Sequence, residues 1–145
     1  MKKISHILNR KGNNVLSIAP HLTVNDALLI MSDKNIGSLV VSDNDKYLGI
    51  VTERDYARKV MLKGKSSAET PVSEIMTTDF PLLTEEDSVD RCMKLMTENN
   101  LRYLPVMKED KIVGLISIMD VIHETMLSQE ETIIELHQYI SGSTY

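Results

Sequence analysis

Residues 49–55 read Gly-Ile-Val-Thr-Glu-Arg-Asp, and residues 114–120 read Gly-Leu-Ile-Ser-Ile-Met-Asp. Both stretches follow one pattern: Gly, two apolar residues, a hydroxyl residue, two variable residues and Asp. The similarity extends backwards without a gap, because residues 23–55 align with residues 88–120 at a constant offset of 65, and nine of the 33 pairs are identical. Unrelated segments of ordinary composition would share roughly two identities. The chain therefore contains two copies of one structural unit.

Each copy is predicted to run strand, helix, strand, strand, helix. Alternating apolar residues and turn residues place these elements in the first copy at residues 15–19, 23–35, 38–42, 47–51 and 52–64. The matching elements of the second copy lie at residues 82–84, 88–99, 103–107, 112–116 and from 117 onwards. Thr23 and Asp26 are spaced as a capping box, and Thr52 is placed to cap the second helix.

The segment before each copy repeats as well, but with a different spacing. Residues 72–76 match residues 4–8 at an offset of 68, so the first copy carries three extra residues between Leu8 and Thr23. After the second copy, residues 129–140 form a further amphipathic helix that either joins two subunits or folds back on its own module.

These patterns predict an α/β (α+β) fold in which two β-α-β-β-α motifs pack around an approximate twofold axis. The predicted boundaries are 1–68 for the first motif, 69–128 for the second, and 129–145 for a C-terminal helix and tail. Neither motif has enough apolar surface to be stable alone, so the two are expected to share one compact module.

Composition narrows the class of protein. The 145 residues are 42% hydrophobic and 26% charged, with no Trp, one Phe and nine Met, so aliphatic side chains must fill the core. A formal charge of −5 argues against nucleic acid as a partner, and no apolar run is long enough to span a membrane. The chain has one cysteine, and Lys2-Lys3 is not followed by an apolar segment, so a reducing, cytoplasmic location is expected.

The two Gly-apolar-apolar-Thr/Ser-any-any-Asp stretches, together with Leu-Arg-Tyr-Leu-Pro-Val at residues 101–106, resemble the CBS domain pair, also called the Bateman module. The resemblance covers residues 4–126 and is nearest to stand-alone pairs without a catalytic domain. It implies a regulatory protein that binds an adenosyl ligand in clefts between the two motifs. The implied ligands are AMP, ADP, ATP, NAD or S-adenosylmethionine, and the implied assembly is a homodimer that signals to an unidentified partner protein.

Four residues of the repeated stretch are the main candidates for ligand binding. Thr52 and Ser117 lie at a strand-to-helix junction, where a hydroxyl can cap the helix and also face a phosphate. Asp55 and Asp120 follow on the first helical turn, where a carboxylate can accept hydrogen bonds from both hydroxyls of a ribose. The resemblance assigns them that role; the alternative is that each Asp only complements the positive end of its helix.

Further candidates concern the base and the phosphates. The resemblance implies that apolar strand residues sandwich the adenine, and the candidates are Ile18, Ala19, Leu83, Leu104 and Pro105. Arg102 resembles positions that meet phosphate, and its rigid charged fork suits that contact. Arg54 and Arg58 share a helix face and are further phosphate candidates. By contrast, the neighbouring lysines, Lys59, Lys63 and Lys65, are expected to form a solvated face.

The two clefts are not expected to be equal. Gly37 stands where the second copy has Arg102, and Met119 stands where the first copy has Arg54. The clefts should therefore differ in affinity and in the ligand they prefer. The sequence does not indicate which of them binds more tightly.

The sequence contains no motif for catalysis or metal binding. The four histidines show no ligand spacing, and residues 43–54 lack the Gly and the final Glu of a calcium loop. Cys92 aligns with Ala27 and is expected to be a small core residue rather than a nucleophile. No catalytic or metal-binding residue is therefore predicted. The alternatives to a ligand sensor are a ligand-independent scaffold that braces a partner enzyme through dimerisation, and an enzyme, which no catalytic constellation supports.

Overall fold

A computed structural model describes residues 2–143 of the chain. Its elements in chain order are α1 (Ile4–Lys11), β1 (Ser17–Ile18), α2 (Val24–Lys34), β2 (Ser38–Asp43), β3 (Lys46–Thr52), α3 (Glu53–Tyr56), α4 (Val89–Asn99), β4 (Tyr103–Lys108), β5 (Lys111–Ser117) and α5 (Ile118–Ser143). A π-helical segment, Ala57–Met61, continues α3, and a short 3-10 helix, Val72–Glu74, links the two halves. The molecule thus has the mixed helix and strand content, in two tandem units, that the sequence predicts.

The two hairpins repeat each other residue by residue. In the first, β2 pairs antiparallel with β3, and β1 joins β2 in parallel to give a three-stranded sheet. In the second, β4 pairs antiparallel with β5. Each hairpin has an irregularity in its register at the same place, between Val41 and Ser42 in one and between Val106 and Met107 in the other. The internal repeat therefore extends to fine backbone geometry.

The helix ends follow from local residue chemistry. Thr23 and Asp26 form the predicted capping box at the start of α2, and Ser88 caps α4 in the equivalent position. Both helices end at an asparagine in the left-handed conformation, Asn35 and Asn100, which is one of the identical pairs of the repeat. Asparagine tolerates this conformation better than most residues, and it releases the chain into the next strand.

Several predicted elements were wrong in detail. The strand at residues 82–84 is reduced to one bridge, in which Leu83 pairs in parallel with Val106. The predicted break before residue 129 is absent, because α5 continues as one helix from Ile118 to Ser143. The second helix of the first copy changes to π-helical geometry after four residues. Residues 144 and 145, which belong to the predicted tail, lie outside the described residues.

The hydrophobic core of each hairpin is completed by the segment that precedes the other copy in the sequence, which we call its leading segment. Two hydrophobic cores are formed, and α1 contributes Ile4, Ile7 and Leu8 to the core of the second hairpin. The 3-10 segment and the residue after it contribute Val72 and Ile75 to the core of the first hairpin. These crossings come in symmetric pairs of isolated bridges, Lys3 with Ser88 and Thr23 with Pro71. The two halves are therefore held together by an exchange of their leading segments.

Two glycines make this exchange possible. A Cβ at Gly49 would lie 2.6 Å from the backbone oxygen of Thr77, and a Cβ at Gly114 would lie 2.5 Å from Cδ2 of Leu8. Such distances are shorter than van der Waals contact, so no other residue fits at either position without a shift. In the repeated stretch, the glycine is thus explained by packing of the opposite leading segment against the strand.

Cys92 is a core residue, as predicted, and its chemistry follows from burial. Its side chain is fully buried, and this raises the pKa of the thiol to about 12, with further contributions from the charges of Asp120 and Asp87. Since the thiolate is the reactive form, the folded protein at about pH 8 should hold an inert thiol. We expect a chromogenic disulfide reagent to label no cysteine in the native protein and one per chain in guanidinium chloride. Rapid labelling of the native protein would contradict this placement.

Candidate functional site

Asp55 is the better buried of the two repeated aspartates, and all its acceptor positions are in use. Oδ2 accepts hydrogen bonds from the Thr52 backbone at 3.0 Å and from the Thr52 hydroxyl at 3.1 Å. Oδ1 accepts from the Thr77 hydroxyl at 3.2 Å and lies 3.0 Å from Nζ of Lys59. A carboxylate has about four acceptor positions, so this one is satisfied within the chain.

Asp120 forms the same capping arrangement but has fewer partners. Oδ2 accepts a hydrogen bond from the backbone of Ser117 at 2.8 Å and from Nζ of Lys11 at 2.7 Å. No donor from residues 2–140 reaches its Oδ1, and 21% of the Asp120 side chain is exposed against 9% for Asp55. The second carboxylate is therefore the one with an open oxygen.

The three additional residues of the first copy explain this difference. They allow α1 to extend to Lys11, whose ammonium bridges Asp120 and the carbonyl oxygen of Leu115 at 2.9 Å. In the second copy the chain is shorter, and the backbone of Thr77 pairs directly with Ile50 instead. Asp55 is also paired with a cation, but this cation is Lys59, one helical turn further along the chain. The same charge balance is thus achieved by residues that are not equivalent.

Two clefts open beside the helix-capping residues Thr52 and Ser117, and we number them by the half of the chain that supplies the capping residue. Cleft 1 has a volume of about 180 Å³ and is lined by Thr52, Arg54, Asp55, Thr77, Phe80, Leu101, Arg102 and Tyr103, with Gly37, Glu53 and Asn100. Two arginines face it, together with an aromatic and aliphatic wall. It therefore combines a positive region, an apolar wall and a carboxylate in one concave site.

Cleft 2 has a volume of about 360 Å³ and lies beside Ser117, the cap residue of α5. Its lining includes Lys11, Asn14, Val15, Leu16, Asn35, Ile36, Gly37, Ser38, Tyr103, Leu115 and Met119. Several of these positions match positions of cleft 1 at the offset of 65, so the two clefts are related by the approximate twofold axis. The two clefts differ in charge. Gly37 and Met119 of cleft 2 stand at the positions that Arg102 and Arg54 hold in cleft 1. Lys11 is the one cation among the residues that line cleft 2.

The structure brings only some of the predicted residues together. Thr52, Arg54, Asp55 and Arg102 line cleft 1, and Ser117 lines cleft 2. Asp120 accepts a hydrogen bond from the Ser117 backbone but does not line cleft 2; it lines a separate, smaller pocket with Arg10 and Lys11. Arg58 is exposed and lines neither cleft.

None of the residues predicted to sandwich the adenine lines either cleft. Ile18, Leu83 and Leu104 lie in the two hydrophobic cores, and Ala19 and Pro105 are also outside the linings. Side chains alternate between the two faces of a strand, and this alternation directs Ile18 and Leu104 into the cores. The apolar wall comes instead from positions just before the strands. In cleft 1 these are Phe80 and Leu101, and the matching residues of cleft 2 are Val15 and Ile36.

Besides Thr77, Phe80 and Leu101, three further residues of the site are missed by reasoning from the sequence. Lys59 is predicted to lie on a solvated face, yet it binds Asp55 and the carbonyl oxygen of Ile75. Its spacing of four from Asp55 is the signal for that contact. Tyr103 lines both clefts, and Lys11 reaches its target across more than a hundred residues of sequence. No local pattern predicts a contact of such long range.

Two other kinds of site are absent from the described residues. No group of three or more His, Cys, Asp or Glu side chains in residues 2–143 is arranged to hold a metal ion. Within that same range, no helix has both the length and the apolar character needed to cross a bilayer.

Comparison with known families identifies the repeated unit. The CBS domain matches this chain twice, over residues 4–62 and 72–126. The chain is a member of the CBS domain family. The predicted pair of tandem CBS motifs is therefore confirmed, and proteins built from such pairs commonly act as regulatory or signal-transduction modules.

Individual relatives support the same assignment. The chain is 38% identical over 148 residues to CBSX3, a mitochondrial CBS domain-containing protein of Arabidopsis thaliana, and the match covers 96% of this chain and 72% of that protein. A CBS-domain structure from Burkholderia ambifaria, described as a candidate signal-transduction protein, superposes with a TM-score of 0.84 at 43% identity and covers 88% of this chain and 96% of its own. A hexameric CBS-CP12 protein from bloom-forming cyanobacteria has a TM-score of 0.72 at 30% identity, covering 84% and 70% of the two chains.

Proposed function

We propose that this CBS-domain pair is a non-catalytic sensor that binds adenosyl ligands in its two clefts and passes the change to a partner protein. The observation that carries this proposal is the pair of symmetry-related clefts, each lined by a hydroxyl residue that forms capping hydrogen bonds with the aspartate three residues later. The described part of the chain contains no constellation of nucleophile and base around either cleft. Binding rather than turnover is the chemistry that these side chains support.

In the proposed complex the ribose binds the aspartate. Both ribose hydroxyls are donors, and a carboxylate is the acceptor that can receive two of them. Asp120 does not line cleft 2 itself but is bonded to Ser117, which does, and it can accept a hydroxyl on its open Oδ1 without losing an existing bond. Asp55 must release Thr77 or Lys59 first, since its four acceptor positions are filled. Ligand binding in cleft 1 therefore competes with contacts that hold the linker between the halves.

The proposal also assigns protein contacts to the adenine and the phosphates. In cleft 1 the base packs against Phe80, Leu101 and Tyr103, which take the place of the strand residues that the sequence suggests. Arg54 and Arg102 then face the phosphates, and arginine is well suited to bind them in a bidentate fashion. Cleft 1 thus favours a ligand with two or more phosphate groups, such as ADP, ATP or NAD.

Cleft 2 favours a less charged ligand. Lys11 is its one lining cation, and that ammonium is already shared between Asp120 and Leu115. AMP and S-adenosylmethionine carry less negative charge than ATP and fit this environment better. The proposed difference between the clefts is thus a difference in phosphate number.

Substitution of the aspartates tests the proposal. We expect Asp55→Asn and Asp120→Asn each to weaken binding of a preferred adenosyl ligand about tenfold or more, the usual loss for a hydrogen bond to a charged group. Isothermal titration calorimetry with AMP, ADP, ATP, NAD and S-adenosylmethionine would measure it. Undiminished affinity in both variants would refute the ribose contact.

A matched control is present in the same chain. Asp26 forms the same capping box with Thr23, and it lines neither cleft. Asp26→Asn should therefore lose a similar amount of helix capping while leaving every ligand affinity unchanged. If Asp26→Asn weakened binding as much as the other two variants, the loss would reflect helix stability rather than ligand contact.

One observation favours a second function, that of a ligand-independent scaffold. Asp55 is fully satisfied by Thr52, Thr77 and Lys59, so cleft 1 is stable without any ligand. A scaffold predicts no thermal stabilisation by any adenosyl compound. A specific ligand at about ten times its dissociation constant should add about 1.4 kcal/mol to the free energy of unfolding.

The proposal also covers the location, the assembly and the partners of the protein. We place the sensor in the cytoplasm as a homodimer that acts on a regulated protein, with neither nucleic acid nor membrane as a partner. The acidic composition and the single buried cysteine support this placement. Assembly is in line with the hexameric state of one structural relative.

A further inference from the structure

Helix α5 carries an exposed apolar stripe with a regular spacing. Seven positions follow each other at alternating intervals of three and four residues: Met119, Ile122, Met126, Gln129, Ile133, Leu136 and Ile140. Six of the seven are apolar, and their exposed fractions range from 44% for Ile122 to 66% for Met119. Exposure of this many large apolar side chains in one line indicates a surface that is covered in the working protein.

The spacing indicates what covers it. Alternating steps of three and four average about 3.5 residues, which is the heptad repeat of left-handed coiled coils. The residues through which α5 packs on its own module are Val121 and Glu124, and they are almost completely buried. At 100° per residue, this buried face lies about 150° around the helix from the stripe. From Ile122 onwards the stripe therefore faces away from the module, where another helix can reach it.

We propose that two copies of this chain pair through the α5 stripe, with Gln129 of each copy packed against Gln129 of the other. Met119, the first residue of the stripe, also lines cleft 2, whereas the stripe from Ile122 onwards lies outside both clefts and does not depend on the proposed ligand. The stripe has three apolar positions on each side of Gln129, and in a parallel, in-register pair of helices each of these positions meets the same position of the other copy. A single polar residue in such a seam fixes the register of the two helices.

The size of the stripe is adequate for a dimer. Burying its six apolar side chains completely would remove on the order of 600 Å² per copy, and flanking residues bring this near the ~800 Å² per partner of a standard interface. Charge also permits the pairing, although each chain has a net charge of −5. The residues that border the stripe are His123, Thr125, Glu130, Thr132, His137 and Tyr139, which include one acidic residue and no Lys or Arg.

Two adjacent isoleucines give a matched test. Ile133 lies in the stripe and is 65% exposed, whereas Ile134 lies outside it and is 56% exposed. We expect Ile133→Glu to raise the dissociation constant of the dimer about 100-fold, as loss of central interface contacts does, and Ile134→Glu to leave it unchanged. Sedimentation velocity over a concentration series would measure both. A monomeric wild-type protein, or equal behaviour of the two variants, would overturn the proposal.

A crosslinking experiment tests the register independently. Gln129→Cys should form a disulfide-linked dimer under mild oxidation, because the two substituted residues meet in the seam. Gln138→Cys, on the far side of the same helix, should remain monomeric on a non-reducing gel. Cys92 does not interfere, since it is buried. Equal crosslinking of both variants would show that the helices meet in some other way.

Discussion

Gly49→Ala should destabilise the protein by about 3 kcal/mol, the upper range for an added methyl group in a close-packed site. The new Cβ would lie 2.6 Å from the backbone oxygen of Thr77 and 3.3 Å from its carbonyl carbon. Backbone cannot rotate away as a side chain can. The Ile50–Thr77 bridge, with hydrogen bonds of 3.0 and 2.9 Å, must therefore open. Thermal unfolding should show a melting temperature lowered by roughly 8 °C for a chain of this size.

The same variant has a consequence for cleft 1. The Thr77 hydroxyl donates to Asp55 Oδ1, so displacing residue 77 removes one of the partners of the carboxylate. Gly64→Ala is a less informative control because Gly64 has a positive φ of 68°. Gly114→Ala is the better comparison, since it is the equivalent position of the repeat. A Gly49→Ala protein as stable as wild type would show that the linker does not pack against this strand.

Leu8→Ala should have an effect of similar size in the other half, about 3 kcal/mol for a buried leucine in a close-packed core. Leu8 is 2% exposed and lies in the core of the second hairpin, although it precedes the first motif in sequence. Its loss would leave a cavity beneath β5 that α1 alone cannot fill. Urea denaturation followed by circular dichroism would measure the change in free energy.

Gly114 provides a double-mutant test of this contact. A Cβ at this position would meet the end of the Leu8 side chain, at 2.5 and 3.2 Å from its two Cδ atoms. Gly114→Ala alone should cost about 1–2 kcal/mol, less than Gly49→Ala, because a side chain can move. In the double variant, the new methyl group occupies space that Leu8→Ala vacates. The double variant should thus lose about 1 kcal/mol less than the sum of the single variants, and strict additivity would contradict the contact.

The sequence predicted what local patterns and the repeat determine. The hairpins, the capping box of Thr23 and the helix end at Asn35 depend on residues close in sequence, and all lie where expected. Comparing the two copies also predicted unequal clefts; Arg54 and Arg102 line cleft 1, and Met119 and Gly37 stand at the matching positions of cleft 2. The offset of 65 was sufficient for these predictions.

Contacts between distant segments were not accessible in the same way. The bond from Lys11 to Asp120 depends on how far α1 extends and on where it docks, and no periodicity encodes either. The apolar wall was misplaced because Leu83 and Leu104 are equally apolar whether they face a cleft or a core. Only the register of the strands decides between these orientations.

The exchange of leading segments determines how the two halves unfold. Because α1 closes the core of the second hairpin and residues 72–75 close that of the first, neither half can unfold alone without exposing the other. The two repeated motifs therefore form a single cooperative unit of unfolding, or foldon. Hydrogen exchange in the central strands of both halves should then be governed by one global opening reaction.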